Sequence, residues 1–214
     1  MSYTENNSLK QDIALVLAFA AAGFKLTDSK SVETHDGAAW HATLTHGRTK
    51  IVTVSNGGFG GPDESQFHAT TEAAKAADKA SLEKLFAVPE VAEAVRGHML
   101  FNLDLEHQYN KVSDSDYHAA KADIAARVPV PTADNIEFLV GRIADVTKAV
   151  NSFKRAIKTK LLVVFEGGDE KCEYITYKLA DTPANRERVR AHEKRKIDYF
   201  IADLFGATDE SKGA

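Results

Sequence analysis

Cysteine occurs once in the 214 residues, at Cys172, tryptophan once, methionine twice and proline five times. A single cysteine excludes an intramolecular disulfide and any zinc site built from a cysteine cluster. Beside Lys171 the thiol is open to reaction, but no histidine adjoins it to act as a base. Long apolar runs are also missing. The stretch 13–22 has ten residues, where about twenty are needed to cross a bilayer, so no membrane partner is expected. Ala20 and Ala22 resemble a signal-peptide cleavage site, yet Glu5 and Asp12 put acid where such a peptide is basic. The run reads instead as a buried N-terminal helix of a cytoplasmic protein, between the N-cap type Ser8 and the C-cap type Gly23. Neither sign of charge dominates: 27 Lys and Arg face 31 Asp and Glu, a formal net charge of −4. Net charge therefore demands neither general nucleic-acid binding nor an acidic mimic of nucleic acid. No Gly-x-Ser-x-Gly elbow is present, and no Gly-Lys-Ser/Thr follows a glycine-rich stretch. Nucleophile-elbow hydrolysis and Walker-type phosphate binding are thus excluded. No residue set calls for a metal or an organic cofactor.

With 43% apolar residues the chain can build a sizeable core, expected as one domain over 1–206 with a disordered tail at 207–214. The most periodic segment is 134–160. Ile136, Leu139, Ile143, Val146, Val150, Phe153 and Ile157 recur at steps of three and four, one face of a long central helix. A coiled-coil seam has the same spacing. Its flanks should carry complementary charges, and Val140, Thr147 and Lys154 opposite Arg142, Ala149 and Ala156 form no such code. Val140 and Phe138 widen the stripe, which favours a core helix.

Elsewhere the period changes. Residues 38–46 and 48–55, joined through Gly47, read as a β-hairpin, with a weaker edge strand near 30–34. An alanine- and lysine-rich helix follows over 71–87, and further helices over 89–109 and 113–127. Residues 161–166 and 172–179 form a second hairpin around Gly167 and Gly168. Thr182 or Asp181 caps a last helix with Pro183 in its first turn, running to about Phe205. Two hairpins, expected to join one antiparallel sheet, and about six helices make an α+β fold.

The most unusual composition is Asn56, Gly57, Gly58, Phe59, Gly60 and Gly61, followed by Pro62, Asp63 and Glu64. It reads as a tight connection anchored by Phe59, as a recognition loop, or as a phosphate cradle of backbone N–H groups. Residues 50–64 resemble a segment of small uncharacterised proteins of tailed bacteriophages, which implies phage origin and no particular activity. His41-Ala42-Thr43 and His68-Ala69-Thr70 are similar to the paired His-x-Thr signature of two-histidine phosphodiesterases. That family carries its two copies on paired strands of two related lobes, whereas these lie close together in the chain. His41, His46 and His68 with Asp63 or Glu64 offer metal-ligand types, without a recognised ligand spacing.

The last charged feature is basic. Arg186, Arg190 and Lys194 are spaced by four, Arg188 and Arg195 by seven, and with Lys196 they make six cations against Glu187 and Glu193. On one long helix this stripe is a solvated face, or a contact for phosphates or an acidic partner, joined by Arg155 and Lys158 if the two helices pack together. Three functions follow as expectations. The first is a non-enzymatic binding protein, a phage accessory factor acting on a host protein or nucleic acid in the host cytoplasm. The second is a small phosphoester- or nucleotide-processing enzyme using residues 57–61 and His41 or His68. The third is an assembly protein using the long helix.

Overall fold

The computed structural model describes residues 8–35, 37–59, 61–109, 111–169 and 173–206. The expected tail at 207–214, Cys172 and Gly60 lie outside them. The fold is α+β, with six α-helices among the described residues. The chain divides into two compact units: Leu17–Ala144, and the two chain ends, up to Val16 and from Asp145.

In the first unit, β1 (Phe24–Thr34), β2 (Gly37–His46), β3 (Thr49–Asn56) and β4 (Glu64–Phe67) form an antiparallel sheet in sequence order. Alternation along β2 and β3 sets its two faces. Trp40, Ala42 and Leu44 stand opposite Asn56, Val54 and Val52 on one face, and His41 and Thr43 stand opposite Ser55 and Thr53 on the other. Helices α2 (Glu72–Phe86), α3 (Pro89–Gln108) and α4 (Asp114–Ala126) follow. Thr71 and Ser113 accept from Ala74 N and Asp116 N at the starts of α2 and α4, satisfying N–H groups that have no partner inside the helix.

Helix α5 (Ala133–Ala156) is the long helix, four residues shorter at its C-terminal end than the charge pattern suggested. Thr132 receives Asn135 N at its start. Ile136, Leu139, Val140, Ile143, Val146, Val150 and Phe153 are all at most 6% exposed, so the widened stripe is core. Trp40 packs beside Gly141, where a Cβ would make ordinary contact with the indole at 3.6 Å. Ser65 donates to Glu137 at 2.7 Å on the same face of the sheet.

In the second unit, β5 (Leu161–Phe165) is flanked by β6 (Ile175–Tyr177) and β7 (Ile197–Phe200) in an antiparallel sheet. All five β5 residues are buried, as a continuous apolar run predicts for a central strand. Leu161, Val163, Phe165, Val189 and Phe200 form a cluster edged by Ile175, Tyr177, Leu179 and Ile197. The Tyr177 hydroxyl donates to Glu193; burial first, and that carboxylate second, push the phenol up to about 12. The start of α1 (Leu9–Ala21) belongs to this unit. Ser8 and Gln11 cap it reciprocally, each backbone N–H donating to the other's side chain. Lys10 reaches Asp198 at 3.2 Å and lies over the Tyr199 ring.

Two expectations are corrected. The hairpins do not share a sheet: β1 and β4 occupy both edges of the β2–β3 pair, and β6 and β7 both edges of β5. The last helix does not reach Phe205. Helix α6 (Pro183–His192) stops when Glu193 turns extended, and β7 and a 3-10 turn (Ile201–Phe205) follow. Leaving the helix lets Phe200 and Ile201 become 2% and 0% exposed, worth about 2 kcal/mol of burial each.

Candidate functional site

The glycine loop is built onto the sheet. Asn56, the last residue of β3, accepts from Gly58 N at 2.8 Å and donates to Gly61 O at 3.1 Å and Asp63 at 2.7 Å. One side chain thus fixes both arms of the turn. Gly58 has φ +75° and is buried against the β1–β2 hairpin. Thr34 Oγ1 lies 2.7 Å from its carbonyl oxygen and 3.0 Å from that of Gly37, its single proton shared between them. A Cβ on Gly58 would stand 2.6 Å from Ala39 N and 2.9 Å from Thr34, so only glycine fits. Phe59 follows at 81% exposure. A Cβ on Gly57 would meet its ring at 3.2 Å. Val32, paired with Ala39 in the β1–β2 register, is 66% exposed at the same end of the sheet. Thr34 and Ala39 organise this loop from more than fifteen positions upstream, and no local pattern marks them.

His41 and His68 reach the same face of the sheet. His68 Nε2 is 2.8 Å from Thr53 Oγ1, which is 2.8 Å from Thr43 Oγ1, a residue 3% exposed. His41 stands in the neighbouring row, opposite Ser55 and Lys30. Burial raises the Asp78 carboxyl on α2 above the usual range, while the charge of His68 works against the rise. No group of three His, Cys, Asp or Glu side chains able to hold a metal ion occurs among the described residues. Other histidines have structural contacts: His46 stacks on Phe24, His98 on Phe138, and His107 on Tyr117 while bonding Asp114 at 2.8 Å.

The basic stripe is divided. Arg186 sits on α6 with a two-pronged contact to Asp181 and a third bond to Asp203 at 2.7 Å, which together hold its guanidinium charged. Arg190 pairs with Glu187 on the same helix. Both guanidinium groups cover the Phe200 ring, at 4.6 and 5.0 Å. Lys194 and Arg195 lie in the bend after α6, and Arg195 pairs with Glu193 at 3.7 Å. Lys196 pairs with Glu166, which raises the amine. Arg155, in the last turn of α5, donates to the Asn151 carbonyl, and Lys158 follows the helix. No protein-family model, curated protein or solved structure matches this chain.

Proposed function

We propose that this protein works by binding, capturing a partner protein at the glycine-loop end of its four-stranded sheet. The observation that carries this reading is Phe59, a ring left 81% exposed next to Gly58, which hydrogen bonds from Thr34 and to Asn56 tie to the sheet. An exposed aromatic on a pre-ordered support has already lost the conformational entropy that binding would otherwise cost, and such residues dominate interface energetics. The resemblance of residues 50–64 to small tailed-phage proteins supports a phage accessory role with a host-protein partner in the host cytoplasm.

The enzymatic alternative draws support from the His68–Thr53–Thr43 chain. Against it, the Gly58 amide already donates to Asn56, which leaves a phosphate cradle one N–H short. An assembly role through α5 is weakened by the burial of its apolar stripe within the chain.

The test replaces Phe59 with a photo-reactive phenylalanine analogue and irradiates the protein in bacterial lysate. One cross-linked host protein is expected, competed by excess wild type. Phe59→Ala should compete about thirtyfold less well while melting like wild type. If Phe59→Ala unfolds the protein, the ring is a core plug and the reading fails.

A further inference from the structure

The cations at the end of α5 differ from most of those on and after α6 in one respect. Arg186 and Arg190 on α6, and Arg195 and Lys196 after it, each have a carboxylate partner, while Arg188 and Lys194 pair with none among the described residues and line no cleft with an aromatic ring. Among the described residues no carboxylate pairs with Lys154, Arg155 or Lys158. Three positive charges fall within five positions and repel one another where no anion stands between them. Favourable interaction with the negative end of the helix accounts for cations in a last turn. It does not account for the open cleft they line.

That cleft is shallow and open to solvent, with a volume of about 660 Å³, and is lined by Asn151, Lys154, Arg155, Lys158 and Phe205. Each wall has a distinct chemistry. The Arg155 guanidinium is a planar fork suited to two phosphate oxygens, and the two lysines are mobile point charges. The Asn151 amide can donate or accept. Phe205, brought from the far end of the second sheet's last turn, supplies an aromatic ring, with Lys154 Nζ 5.6 Å from its centroid. The lysine stems add apolar surface around that ring.

We infer that this cleft is a nucleotide site, taking a phosphate group on Lys154, Arg155 and Lys158 and an aromatic base against Phe205. A single carboxylate carries too little charge for three unpaired cations, and an inorganic anion would leave the ring unused. Base–aromatic stacking beside a cationic track is the combination that binds nucleotide units without reading their sequence. The nucleotide is either free or a unit of a single strand, since both present the same two groups.

The experiment titrates the full chain at low salt with adenosine diphosphate, inorganic pyrophosphate, a labelled short oligothymidylate and a polyglutamate peptide. Adenosine diphosphate or oligothymidylate should bind. Arg155→Ala should weaken that binding about tenfold, and Arg190→Ala, on α6, should leave it unchanged. Phe205→Leu should weaken the nucleotide and spare pyrophosphate, with melting curves confirming that each variant folds. Tighter oligothymidylate binding, falling with salt at a log–log slope of about −0.7 per phosphate, assigns a single strand. Tighter adenosine diphosphate binding assigns a free nucleotide. The proposal is overturned if neither nucleotide probe binds, if pyrophosphate or polyglutamate binds as tightly as both, or if Arg155→Ala has no effect.

Discussion

At Gly58 one methyl group decides whether the loop closes on the sheet. Its φ of +75° disfavours any side chain, and the added Cβ would collide with backbone, which cannot rotate away. Gly58→Ala should therefore cost about 2–3 kcal/mol. Gly61→Ala, whose Cβ would meet nothing within 4 Å, should stay within about 0.5 kcal/mol of wild type. Urea denaturation of the two variants checks the contrast, and equal midpoints would mean that the loop does not need its seat on Thr34 and Ala39. His98 makes a second residue-scale case. Burial holds its imidazole below the ordinary value of 6.5, and Asp134 at 3.3 Å only partly opposes this. The unfolded chain therefore binds the proton more readily than the folded one. The contribution is fully present above about pH 6.5 and is lost as pH falls through the lower folded value. His98→Gln should flatten the fall in stability on acidification, read from melting temperatures across that range.

Among the elements, α6 shows how a charge pattern can mislead about use. Arg186, Arg190 and Lys194 suggest one cationic face, but Lys194 is off the helix and Arg186 joins Asp181, before α6, to Asp203, in the turn after β7. Arg186 is structural: its side chain is only 24% exposed and stacks on Phe200. Arg186→Ala should destabilise by about 1–3 kcal/mol, whereas Arg190→Ala and Lys194→Ala should each cost less than about 0.5 kcal/mol. Chemical denaturation separates these outcomes. A triple charge reversal that includes Arg186 would confound lost binding with lost folding, which is why Arg155 is the better probe of anion binding.

For the whole molecule, the net charge of −4 and the carboxylate partners of Arg186, Arg190, Arg195 and Lys196 predict no retention of duplex DNA near physiological ionic strength, ~0.15 M, where attraction beyond about 8 Å is screened. A gel-shift titration checks this, and a salt-sensitive shift lost in Arg188→Glu or Lys194→Glu would contradict it. The helical periods, the first hairpin, the buried strand β5 and the capping residues Ser8 and Thr182 were legible because each depends on neighbours a few positions away. The short polar strand β4 was not: Glu64, Ser65, Gln66 and Phe67 carry no strand signal and pair only because the edge of β3 is free. The sequence also left the glycine loop open between connection, recognition and phosphate binding, and its attachment depends on Thr34 and Ala39. By itself the chain determined where the helices α1 to α5 fall and which segments are apolar enough to be core. Tertiary structure alone decided that the hairpins belong to separate sheets, that α6 ends before Lys194, that Arg186 pairs with carboxylates while Arg155 has none among the described residues, and that Phe205 meets Lys154. The reason is physical: local spacing fixes backbone preference, but strand pairing and charge pairing are settled by partners that sequence distance does not reveal.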